Sequence, residues 1–89
     1  MEEKRERMER ITEEFIRGIA QKAVAVIMET TPTTQRESRR EIGLFVAKKL
    51  EVNLSDAFYL ISFILKMHTK TVPETEITIR ARNLFLSFP

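Results

Sequence analysis

Arg36, Arg39 and Arg40 fall on one side of a helix together with Gly43, three guanidiniums within about 100° of arc. A guanidinium is planar, permanently charged and able to fork onto two oxygens at once, which suits phosphates or a partner's carboxylates. Lys48 and Lys49 extend the basic character along the same helix, and these five residues form the candidate site for phosphate or an acidic partner. The plainer alternative is a solvated helix face screened by Glu37 and Glu41.

Other chemistry is poorly supplied. His68 is the only histidine, and without a cysteine or a paired carboxylate nearby it makes a poor metal ligand. At a helix C-terminus it would interact with the dipole instead. Serines and threonines are plentiful, but neither a glycine-bounded nucleophile nor a second histidine accompanies them, so acyl transfer lacks a general base. The two glycines, Gly18 and Gly43, both sit in helical patterns, which leaves no loop to cradle a phosphate. These residues point to a non-enzymatic protein with no cofactor and no metal.

The element that must position everything else is the stretch Leu54 to Met67. As a helix it leaves water only the stripe Ser55, Tyr59, Ser62 and Lys66, so it is expected at the centre of a bundle or against a partner. Before it, Met8, Ile11, Phe15, Ile19, Ala23 and Val26 or Ile27 recur at helical spacing. A second row, Ile16, Ala20, Val24 and Met28, widens that face, and the spacing predicts one helix from about Lys4 to Glu29 with its second half buried. Residues 1 to 10 are charged, with Glu2, Glu6 and Glu9 set among Arg5 and Arg10, and are expected to be solvated and frayed.

Thr30 to Thr34, with Pro32 inside, breaks the pattern. Thr34 followed by Glu37 fits a capping box, predicting a second helix from Thr34 to about Leu50 whose inner face is Ile42, Phe45, Val46, Lys49 and Leu50. Gly43 within it would let a neighbouring helix come close. Glu51 to Asn53 makes a sharp corner, with Asn53 or Ser55 as the next cap. After Pro73 the residues Ile77, Ala81, Leu84, Phe85 and Phe88 share one helix face, which is preferred over the alternative hairpin of Ile77 to Ile79 with Leu84 to Leu86.

The expected fold is all-α: a single small four-helix domain over residues 1 to 89, with the apolar helix 54 to 67 central and the last element alternatively a β-hairpin. At 89 residues with 43% hydrophobic and 31% charged side chains, the chain has the balance of a folded domain but only a small core, so every apolar face counts. Zero cysteines remove disulfide and thiolate-zinc staples, leaving packing or a second chain to supply stability. The mixed-charge start and the shortness of the apolar runs predict a soluble intracellular protein, of cytoplasm or nucleus, with no membrane span. Net charge is +2, but residues 1 to 14 hold six acidic and four basic residues, so the remainder is near +4, which permits nucleic acid or an acidic protein as partner and compels neither.

Two family resemblances follow from these elements. Helices joined by the corner in Val46-Ala-Lys-Lys-Leu-Glu-Val-Asn-Leu-Ser resemble a helix-turn-helix, which implies DNA binding; the second helix, however, offers Asp56, Tyr59, Ser62 and one Lys66 where a reading helix needs Arg, Lys, Asn or Gln. Over about residues 39 to 88, Phe45-Val-Ala-Lys-Lys-Leu, the corner Glu51-Val-Asn-Leu-Ser, the apolar helix, the proline connector and Arg80-Ala-Arg-Asn-Leu-Phe-Leu-Ser together resemble the first helices of a cyclin box, particularly of fungal cyclins. That resemblance implies an all-helical box whose buried centre is an apolar helix and whose partner is a cyclin-dependent kinase. It rests on pattern and spacing, and the family's later helices and signature lysine would lie beyond Pro89, so no kinase-contacting residue carries over.

The function expected is a helical protein-interaction module that self-associates, a dimer being favoured, or takes a helical protein partner. Its apolar contacts would come from Phe15 and Ile19 of the first helix and Leu84, Phe85 and Phe88 of the last, a segment with no sequence after it to cover it. The alternative is a DNA-binding regulator of helix-turn-helix type using the basic helix 35 to 50.

Overall fold

Threonines and an asparagine set where the helices begin. In the computed structural model, which describes residues 3–89, the helices are α1 (Lys4–Met8), α2 (Glu13–Ile27), α3 (Pro32–Leu50), α4 (Leu54–Thr69) and α5 (Glu74–Ser87). Thr12, in extended conformation, accepts from the amide of Phe15 at 3.1 Å and starts α2. Ile11 before that cap and Ile16 four positions into the helix are both fully buried in the same core, the pairing of a hydrophobic staple. The single first helix expected from periodicity is therefore two, divided by a cap, and the described residues form five helices rather than the expected four.

Thr31 caps α3, accepting from the Thr34 amide at 3.2 Å, and Pro32 takes the first helical position, where its missing N–H and fixed φ suit the geometry. The capping box expected at Thr34 is displaced by these two residues. Asn53 caps α4 by accepting from Asp56 at 2.7 Å. At the other ends, α3 and α4 both stop on a left-handed residue, Glu51 (φ 54°) and Thr71 (φ 59°). The following amides close the turns, Val52 to the Ala47 carbonyl and Val72 to the Met67 carbonyl, both at 3.1 Å.

The last element is a helix, not a hairpin. Ile77, Ala81 and Phe85 are fully buried on one face of α5, which a lone pair of strands could not have achieved. Its first turn is acidic, and Glu74 binds Arg17 of α2 at 2.8 Å, a bond that raises the pKa of the arginine.

The charged start, expected to be frayed, is docked. Lys4 donates to the carbonyl of Phe88, while Arg7 donates to the carbonyls of Glu51 at 3.1 Å and Leu50 at 3.5 Å. Arg10 donates to the carbonyl of Lys49. Carbonyls in the last turn of a helix have no partner within it, so two cations from α1 and its exit supply what the end of α3 lacks. Met1 and Glu2, including the pairing expected of Glu2, lie outside the described residues.

The described residues span 39 × 30 × 18 Å, and the short dimension accommodates two layers of helices and no third. α4 touches α2, α3 and α5, while the five-residue α1 lies on α3 and α5. Ala57, Leu60, Ile61, Ile64 and Met67 of α4 are buried, as central placement requires. In a two-layer body, however, every helix keeps an outer face, so the water-facing stripe of α4 is wider than expected and includes Phe58, 37% exposed.

The second half of the stretch from Lys4 to Glu29 is buried along one face, as expected, through Ile19, Ala20, Ala23 and Val26. The face is narrower than the second row predicts, since Val24, Ile27 and Met28 are 56%, 71% and 75% exposed. Among the described residues no helix is long and apolar enough to cross a membrane.

Candidate interaction surface

The outer face of α4 borders three hollows, and Phe58 lines all of them. The ring rests on Gly43 of α3: a Cβ there would stand 2.6 Å from the Phe58 Cζ. The absent side chain is thus what lets the tip of the ring come against α3.

On the α3 side, a groove of about 370 Å³ has Val26, Ile42 and Ile61 beneath it and Ile27, Leu65 and Arg39 around it. Beyond Phe58 a second hollow of about 410 Å³ is formed by Leu54 with Arg36, Glu37, Arg39 and Arg40. The three arginines are exposed, and among the described residues none has an ion pair or a side-chain hydrogen bond. They are together, as their spacing requires.

Lys48 and Lys49 are elsewhere. Eight or nine residues further on, about 12 Å along the axis, their positions have turned away from the arginine side. Lys49 is half-buried with its ammonium 5.5 Å from the centre of the Phe15 ring and 5.8 Å from that of Phe45. Lys48 is exposed by itself. Phe45, expected on the inner face of α3, is 43% exposed and carries the Lys22 ammonium 3.8 Å over its ring. That cation–π contact gives a solvent-side aromatic a partner.

On the α5 side, a shallow basin of about 540 Å³ is bounded by Ser55, Phe58, Tyr59, Ser62, Leu84 and Phe88, with Asp56 and Ser87 also at its edge. Tyr59 and Phe88 meet edge to face with centroids 6.2 Å apart, and Phe88 meets Phe85 in the same way at 6.2 Å. Of the apolar contact residues read from the sequence, Phe15, Ile19 and Phe85 are taken up by the core, at 7%, 1% and 0% exposure. Leu84 and Phe88 are half-buried and remain available at the basin.

Phe58, Tyr59, Ile27 and Leu65 were not among the residues read as contacts. The available signal was the apolar excess of α4 itself, together with a glycine in the middle of its neighbour. His68 is exposed on the last turn of α4, beside Arg17, Gln21 and Val24. Among the described residues no three His, Cys, Asp or Glu side chains converge as a metal ion would require. The chain matches no protein-family model, no curated protein and no solved structure.

Proposed function

We propose that this chain is a non-catalytic protein-interaction module that self-associates through the basin between α4 and α5, as a two-fold dimer. The observation that carries this reading is the cluster of half-exposed aromatic side chains, Phe58, Tyr59 and Phe88, around a concavity whose lining, among the described residues, has Asp56 and the tyrosine as its ionisable groups, with Lys4 at the Phe88 carbonyl beside it. Aromatic residues at a surface with little charge around them are what the centre of a protein interface needs. A standard interface covers about 800 Å² per partner, roughly an eighth of the 6096 Å² that this chain exposes, so the dimer contact extends well beyond the basin over the faces of α4 and α5 around it.

Sedimentation velocity over a concentration series tests it. The wild type is expected to dimerise in the micromolar range, and Tyr59→Glu to remain monomeric with an unchanged helical circular dichroism spectrum. A wild type that stays monomeric at high micromolar concentration overturns the reading.

A second reading, a DNA-binding regulator, is favoured by the unpaired arginines of α3 and the tight corner leading into α4. Against it, the solvent side of α4 presents Ser55, Phe58, Tyr59, Ser62 and Lys66, a set with one cation and little to read a base edge. Binding by this route falls steeply with salt. Absence of duplex binding at low ionic strength would dispose of it.

A further inference from the structure

We infer that the groove among α2, α3 and α4 binds an amphipathic helix from another protein, one whose apolar stripe is flanked by carboxylates. The site adjoins the self-association basin, sharing Phe58 and Ser62 with it, but its apolar floor and its arginines lie outside that basin, and it does not depend on self-association.

Two features together specify the occupant. The first is the groove's apolar character. Ile27 stands 71% exposed on one wall, Leu65 is half-exposed on the other, and Val26 and Ile61 close the bottom. The groove and the hollow beyond Phe58, which share Phe58 and Arg39, together follow α4 from Leu54 to Leu65, eleven residues or about 16 Å, the length of three helical turns. An amphipathic helix laid in such a trough inserts side chains spaced three, four and seven apart.

The second is charge. Arg39 borders the groove, and Arg36 and Arg40 border its continuation, without an ion pair or side-chain hydrogen bond among the described residues. Glu37 is the one carboxylate at that end. Three guanidiniums beside an apolar floor complement carboxylates beside an apolar stripe, and forked bonds would fix the register of the docked helix. DNA phosphates would satisfy the arginines but leave the floor, with Ile27 and Leu65, facing water. The apolar half of the site therefore decides for a peptide.

The probe is a fluorescein-labelled synthetic peptide of about sixteen residues, with leucines at helical spacing and glutamates beside them. Three controls accompany it: the same stripe flanked by lysines, the glutamate peptide with its stripe scrambled, and a labelled DNA duplex. By anisotropy, the glutamate peptide is expected to bind at least about tenfold more tightly than any control. Arg36→Glu with Arg39→Glu should reverse the preference between the glutamate and lysine peptides. Ile27→Ser, at a position too exposed to disturb folding, should weaken binding about tenfold. Tyr59→Glu should leave peptide binding unchanged while abolishing self-association, so the two proposals fail separately.

Amide chemical-shift changes on titration should centre on Ile27, Arg39, Phe58 and Leu65. The inference is overturned by equal binding of the glutamate and lysine peptides, or by no binding up to about 1 mM peptide. It is also overturned by tighter, arginine-dependent binding of the duplex, by shifts centred elsewhere, or by loss of the dimer in the double arginine variant, which would place a second copy in the groove.

Discussion

Gly18 and Gly43 both stand within helices, and alanine at either should gain about 1 kcal/mol from helix propensity alone. The structure separates them. A Cβ on Gly18 meets no atom within 4 Å, whereas one on Gly43 would lie 2.6 Å and 2.7 Å from the Phe58 ring and 3.0 Å from Leu54 Cδ1. Carbon atoms rest comfortably at about 3.5–4.0 Å, so the ring must retreat by about 1 Å.

Overfilling of this kind typically costs about 1–3 kcal/mol. Because Phe58 is already 37% exposed and can swing outward, the lower half of that range, about 1–2 kcal/mol, applies. Gly43→Ala should then be neutral or destabilising by up to about 1 kcal/mol, and should fall about 1–2 kcal/mol short of Gly18→Ala. Urea unfolding at one fixed protein concentration reads this as a midpoint difference at constant slope. In a Phe58→Ala background only the 3.0 Å approach of Leu54 Cδ1 remains, and Gly43→Ala should recover most of its gain of about 1 kcal/mol. Equal stabilisation by the two alanines in the wild-type background would refute the close approach of Phe58 to α3, and with it the placing of that ring among the hollows around α4.

Thr71 holds a left-handed conformation unfavourable to a β-branched residue, so Thr71→Gly should stabilise by about 1 kcal/mol and raise Tm by about 4–8 °C. A lowered Tm would show that the turn after α4 is not strained in this way. Asn53→Ala removes the acceptor for the Asp56 amide and should cost about 1 kcal/mol in urea unfolding, with Asn53→Ser recovering most of it. Arg7→Ala removes the donor to the Glu51 and Leu50 carbonyls and should cost about 1–2 kcal/mol, with faster amide exchange throughout α1. Unchanged exchange there would mean that α1 is held by something other than this bond.

The helical class, the connectors at Pro32 and Pro73 and the burial of Ile77, Ala81 and Phe85 were legible because spacing at three and four residues reports directly on which face is inside. The split between α1 and α2 was not read, although Thr12 with Ile11 and Ile16 around it carried the signal. An unbroken run of helical spacing hides a cap whenever the chain resumes the same periodicity after it. The arginine cluster was legible for the same reason as the core, since position on a helix follows from number alone. Which side of α4 stays open was legible too, since Ser55, Tyr59, Ser62 and Lys66 are all exposed; how wide that side is was not, because it depends on the body being two layers thick, a property of how helices stack and not of any one of them. Phe15, Ile19 and Phe85 illustrate the remaining gap: a large apolar side chain looks alike in sequence whether it fills the interior or awaits a partner.

The bond from Lys4 to the carbonyl of Phe88 brings the two ends of the described chain within reach of each other. A short flexible splice could therefore join them, and a new opening could be cut between α2 and α3, at Met28 to Thr30, ahead of the Thr31 cap. In such a circular permutant α1 would lead directly on from α5, as their packing already arranges in space.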